Sequence, residues 1–279
     1  MLILFAIGIL NFCSVEASWN RLPTPSPRVQ DVGGNVEEEK NKTIVYAHCP
    51  ISCRCNHTEE GSIQYAFCED SDPLYIFLNA ERIQHLSIER CSGRLENHTV
   101  STQSVGTVET LRLVGCEIEP ETVSNYSVFF ALAKLEIINS SAELIQIDCR
   151  VVVNLALINL AGNKLTHNPI DNCSAPFLRS LNLSDNSLTE FRLQSIETYG
   201  ELIHLDLGGN ELETVEPSEK RLYLTKLVLR DNPQLRSLCS QVFHALPNLE
   251  DLGTYKDVAV YLSFLYSNMS MVVNYKGIG

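Results

Sequence analysis

Positive charge is scarce in this chain of 279 residues, where 21 Lys and Arg stand against 34 Asp and Glu for a formal charge of −13. Such a balance argues against unspecific binding to DNA, RNA or an anionic membrane surface, all of which draw on basic patches. No nucleic-acid partner is therefore expected. The fingerprints of common enzyme chemistry are also missing: there is no GxSxG, HExxH, P-loop or glycine-rich dinucleotide motif. The glycine pairs at Gly33 and Gly208 sit in a leader and in a turn. His204 and Asp206 alternate along one short segment, but they occupy variable places of a repeat and no catalytic motif surrounds them. No catalytic residue, metal site or cofactor is assigned on this reading. The first apolar run, LILFAIGIL, is shorter than the ~20 residues a bilayer requires, so no transmembrane segment is expected after its removal.

What the chain has in quantity is leucine in register. LRSLNLSDNSL at Leu178–Leu188 and LIHLDLGGNEL at Leu202–Leu212 share the pattern LxxLxLxxNxL and lie 202 − 178 = 24 residues apart. Alignment on the ninth place gives Cys91, Cys116, Ser140, Asn163, Asn186, Asn210, Asn232 and Asp257, with steps between 232 − 210 = 22 and 116 − 91 = 25. Leucines at places four and six alternate with polar residues, as one face of a short strand would. A single such strand cannot bury its leucines, so the copies must stack into a continuous parallel sheet. Asn at place nine carries both a donor and an acceptor, suited to the backbone groups of a turn, whereas Cys serves only weakly there.

On these motifs, Ile83 to about Val260 resembles an extracellular leucine-rich repeat array. The resemblance implies an α/β repeat solenoid, a leucine-rich repeat horseshoe of about eight repeats with a parallel β-sheet on the concave face. Directly ahead of it, CPISCRC and Cys68 resemble the cysteine-rich N-terminal cap of such proteins. A cap covers the apolar end and open strand edge of the first repeat. The resemblance implies pairing of Cys49 with Cys55 and of Cys53 with Cys68; spacing alone leaves three pairings open. A four-cysteine zinc site is the competing chemistry, disfavoured in an exported chain.

Of the remaining cysteines, Cys149 and Cys173 lie at places 18 and 19, counted from Leu132 and Leu155, and are expected to bridge adjacent coils. Cys91 and Cys116 share place nine on neighbouring strands. Their spacing suits a bond, but side chains pointing the same way favour buried free thiols. Cys239 has no evident partner and reads as a small buried apolar residue.

Residues 1–17 resemble a secretory signal peptide, which would start the mature chain near Ser18 and carry Cys13 away. Residues 18–48, rich in Pro, Gly and Glu, read as a flexible leader. The cap then spans 49–82, the repeats 83–260, and 261–279 form a tail or a truncated end. Extracellular relatives usually close with a second cysteine cap, and no Cys follows Cys239. Sequons at Asn41, Asn56, Asn97, Asn125, Asn139, Asn182 and Asn268 are expected to carry glycans, while Asn172 is disfavoured by its neighbour Cys173.

Places three, five and seven face away from the buried leucines. They nominate His204, Asp206, Lys226, Val228 and Arg230 as a partner-binding patch, with Arg112, Lys134 and Glu136 in the N-terminal half. The expected function is that of a secreted, extracellular glycoprotein binding a protein ligand or receptor through its concave face. The alternatives are a matrix component that self-associates weakly as a homodimer through its C-terminal end, and innate-immune recognition of a microbial ligand, which rests on analogy alone.

Overall fold

A computed structural model describes residues 46–79, 82–91, 105–117, 129–145, 147–255 and 272–276. The signal and leader calls, apart from residues 46–48 of the leader, and Asn41, Asn97, Asn125, Asp257 and Asn268 fall outside them. The core of the molecule is one sheet of eleven strands. It begins with an antiparallel hairpin of β1 (Cys53–His57) and β2 (Ile63–Glu69). Every later neighbour pairs in parallel: β3 (Ile83–Glu89), β4 (Thr110–Val114), β5 (Lys134–Ile138), β6 (Leu157–Asn159) and β7 (Ser180–Asn182). Next come β9 (His204–Asp206), β11 (Lys226–Val228), β12 (Asp251–Tyr255) and β13 (Val272–Lys276). Outside that sheet, β8 (Glu190–Arg192) and β10 (Thr214–Glu216) form a separate parallel pair. Short helices α1 (Pro73–Leu78), α2 (Cys149–Val152) and α3 (Ser240–Ala245) complete the turns.

The register follows the leucine pattern. Place four stacks Leu86, Leu111, Leu135, Ile158, Leu181, Leu205, Leu227 and Leu252 strand on strand, each at most 1% exposed. Burying each side chain contributes roughly 1.5–3 kcal/mol, so the core is a line of small equal terms rather than one central cluster. Place six repeats this with Ile88, Leu113, Ile137, Leu160, Leu183, Leu207 and Leu229, then breaks at Thr254, whose buried hydroxyl has no hydrogen-bond partner among the described residues. The sheet nevertheless continues past Val260, because β13 pairs with β12 from Asp251↔Val272 to Tyr255↔Lys276.

Place nine behaves as the amide chemistry predicts. Asn210 is buried, its Oδ1 accepts from Leu188 N–H at 3.1 Å, and its Nδ2 donates to Leu183 O at 2.9 Å and Leu207 O at 3.0 Å. Asn186 and Asn232 repeat the arrangement. Asn163 instead accepts from Ser140 and Ala142. Each amide thus ties its own turn to the coil before it. Ser140 keeps part of the function, accepting from Cys116 N–H at 3.2 Å and donating to Ile138 O at 3.0 Å.

Place eight shows a rule that the leucine pattern did not supply. Arg90, Gly115, Asn139, Gly162, Asp185, Gly209 and Asp231 all have positive φ, between 50° and 69°. Glycine alternates with Asn or Asp from Gly115 onward, the residue types that tolerate this region most readily. The alternation has a packing cause as well. A Cβ at Gly162 would collide with the Asn139 side chain, and one at Gly209 with that of Asp185.

The cap pairs as the resemblance implied, Cys49 with Cys55 and Cys53 with Cys68, and Cys149 bonds Cys173 across adjacent coils. Two expectations are corrected. Cys91 and Cys116 form a disulfide with Cα atoms 4.7 Å apart, because place nine is in a turn leaving the strand, where side chains of successive coils converge. Cys239 is disulfide-bonded as well, not a free apolar residue.

Candidate functional site

Places three, five and seven project from the open face of the sheet, as alternation requires, and the structure divides the nominated residues into two groups. In the N-terminal half the charges are already spent on one another. Glu89 bonds Arg112, Arg112 approaches Glu136 at 3.7 Å, and Lys134 reaches Glu136 at 3.3 Å, with the Glu136 side chain only 12% exposed. Aromatic rings extend this paired surface over the cap: Tyr65 stacks on His85 with centroids 4.6 Å apart, and His85 Nδ1 lies 3.1 Å from Thr110 Oγ1. Arg54 lies over the Phe67 ring and pairs with Glu69, which also accepts from Arg90.

The C-terminal half is arranged differently. His204, on β9, stands between Ser180 of β7 and Lys226 of β11. It is half-buried, and its Nε2 has no hydrogen-bond partner among the described residues. Burial, then the Lys226 ammonium, hold its pKa below the ordinary histidine value despite opposing pulls from Asp206 and Asp251. The Asp206 carboxylate is partly committed, since Oδ1 accepts from Gly208 N–H at 2.9 Å. Asn159 and Asn182 make the same turn with Ala161 and Ser184, so place five closes the strand as well as facing outward.

Lys226 is exposed and pairs loosely with Asp251 at 3.7 Å. Arg230 is also exposed and lines a cleft of about 230 Å³ with Ser184, Asp185, Asp206, Gly208, Gly209 and Asp231. Gly208 fits closely there, as a Cβ would come to 3.2 Å from Asp206 Oδ1, 3.3 Å from the Arg230 carbonyl oxygen and 3.4 Å from Arg230 Cγ. Val228 is a correction to the expected patch. It is only 6% exposed and offers a partner little apolar surface, because it stands across from Gly253 of β12 and its side chain packs there.

Other surface features escaped the pattern. Phe130, Phe177, Ile203 and Tyr223 are each at least 45% exposed and lie just before or at the start of their repeats, a flank on which the leucine pattern is silent. Of the described sequons, Asn56, Asn139 and Asn172 are exposed, and Asn182 is half-buried on the open face. Among the described residues no helix is long and apolar enough to cross a membrane, and no cluster of His, Cys, Asp and Glu could hold a metal ion.

The Leucine Rich Repeat family matches residues 177–198. Tsukushi of Gallus gallus is 36% identical over 105 residues, a match covering 37% of this chain and 28% of that relative's length. A chain from the solved octameric complex of Latrophilin 3, Unc5D and FLRT2 superposes with a TM-score of 0.49 at 16% identity, covering 81% of this chain and 92% of its own. Stacked leucine strands, the asparagine ladder and the disulfide-stapled hairpin have the architecture of a leucine-rich repeat solenoid with a cysteine-rich N-terminal cap. The disulfides among its described residues suit an oxidising compartment.

Proposed function

We propose that this leucine-rich repeat protein is a secreted, glycosylated binding module that engages an extracellular protein ligand or receptor through the C-terminal half of its concave face. The observation that carries this reading is the contrast in charge pairing. The N-terminal charges are neutralised in cross-strand pairs, whereas Arg230 is exposed in a cleft and makes no ion pair among the described residues. Arginine combines a bidentate fork with a large apolar stem and recurs at interface hot spots. Lys226 and His204 extend the patch along the next strands, and Asp206 shapes it by fixing the Gly208 turn. Glycans at Asn139 and Asn182 would cover the middle of the face and leave this end open.

The test is capture from extracellular fluid with mass spectrometry, followed by affinity measurement with the captured protein. Arg230→Ala is expected to weaken binding by roughly 2 kcal/mol, the scale of a hot spot, while Arg192→Ala on β8, outside the main sheet, leaves it unchanged. Loss on changing Arg192 with none on changing Arg230 would put the site at the β8–β10 pair. A second reading, weak homodimerisation, is supported by β13, which closes the strand order with β12 as its single described neighbour. Concentration-dependent size on chromatography separates the two readings.

A further inference from the structure

Place three of the C-terminal half aligns Ser180, His204, Lys226 and Asp251 on four successive strands. Within that row His204 is the unsatisfied member, because its Nε2 is buried and finds no hydrogen-bond partner among the described residues. The charged groups around it are Lys226 from β11, Asp206 from its own strand and Asp251 from β12; β7 contributes only the Ser180 hydroxyl and the Asn182 amide. Both carboxylates already have occupations. Asp251 lies 3.7 Å from Lys226 Nζ, and Asp206 accepts from Gly208 N–H.

We propose that His204 is a proton switch for the C-terminal concave patch: the neutral imidazole packs in its row, and protonation drives it out and re-pairs Asp206 or Asp251. A neutral ring can leave one nitrogen without a partner at modest cost, since that nitrogen can be the bare acceptor. The imidazolium carries N–H on both nitrogens, so Nε2 becomes a buried charged donor with no acceptor, a state that proteins avoid by moving or by not ionising. Burial and Lys226 together disfavour the cation, which sets the switch below the ordinary histidine range, in the regime of acidified compartments.

Relief requires one of two movements. If Asp206 turns toward the imidazolium it releases Gly208 N–H, and the Gly208 turn lies directly against Arg230. If Asp251 turns, it releases Lys226. Either movement rearranges residues placed in the binding patch, so a partner bound at neutral pH is released on acidification. That consequence rests on the concave-face reading, whereas the switch itself does not. His85 occupies the same place in the N-terminal half, but with Thr110 Oγ1 at 3.1 Å and the Tyr65 ring against it, and so provides the internal reference.

The test needs no partner. The full chain, isotopically labelled, is titrated by NMR from pH 7.5 to pH 5, with His204 assigned by comparison with His204→Gln. The expected result is a His204 ring midpoint below 6.5, with the amide signals of Gly208, Arg230 and Asp251 following the same midpoint and becoming flat in His204→Gln. A midpoint at or above 6.5, or Gly208, Arg230 and Asp251 amides that ignore the ring titration, overturns the proposal. Should His204→Gln fail to fold, the coincidence of ring and amide midpoints in the unsubstituted chain decides. Failure of Arg230→Ala to weaken partner binding would refute the concave site and leave this titration unaffected, so the two claims fall separately.

Discussion

The coils around Cys91 and Cys116 and those from Asn163 to Asn232 meet the same requirement in different ways. Each coil must leave its strand through a tight turn whose backbone groups are buried, and each must be held to its neighbour. From Asn163 onward a single amide does both, tying its own turn to the preceding coil. At Cys91 and Cys116 the amides are gone and a covalent bond holds the coils, with Ser140 as the transition between the two devices. The lesson is that a repeat position is conserved in its task rather than its residue, and that a disulfide can replace the tie while giving up the turn's hydrogen bonds.

The comparison can be broken at three points, taken from the largest effect down. Leu205→Ala removes a fully buried place-four side chain from the middle of the ladder, and is expected to cost about 2–5 kcal/mol through lost burial and a cavity. Chemical denaturation followed by circular dichroism reads this directly, and a cost below about 1 kcal/mol would mean that the core line is not continuous there. The double change Cys91→Ser and Cys116→Ser opens a loop of 25 residues and is expected to cost about 3 kcal/mol by the chain-entropy argument. The loss should concentrate in β3 and β4, where no asparagine ladder remains to share it. Asn210→Ala leaves the Leu188 N–H without its acceptor and takes from the Leu183 and Leu207 carbonyls one of their two donors, Asn186 and Asn232 remaining, for about 1–3 kcal/mol. Its effect should be felt on both sides of Asn210, because the amide spans two coils. An Asn210→Ala protein as stable as its parent would show that water replaces the ladder.

Much of the fold was legible in the sequence because the solenoid is set by local repetition. Leucines at places four and six and Asn at place nine carry their function in their own chemistry, so Leu205 and Asn210 stand where the pattern put them. The cap pairing was legible only through resemblance, since four cysteines permit three pairings. The Cys91–Cys116 bond is not legible from strand spacing, which keeps side chains on neighbouring flat strands parallel, whereas the turn at place nine brings these two together. The place-eight rule was visible as alternating Gly and Asx, but the need for it lies in contacts between coils, such as Asn139 against Gly162, that no single repeat displays. The binding face was legible as a set of places and not as energies. Periodicity assigned Val228 and Glu136 to the outward face, but it could not tell that one is buried beside Gly253 of the next strand and the other held by two cations.

The same division of the molecule gives the decisive measurement. The paired charges of β3 to β5 are proposed to be structural, and the cleft and row of β9 and β11 to be the contact surface. Hydrogen exchange with and without the captured partner compares the halves in one experiment. The expected result is slowed exchange confined to residues 204–209 and 226–231, with β3, β4 and β5 unchanged. Slowing centred on the N-terminal strands, or on β8 and β10 outside the main sheet, would contradict the account.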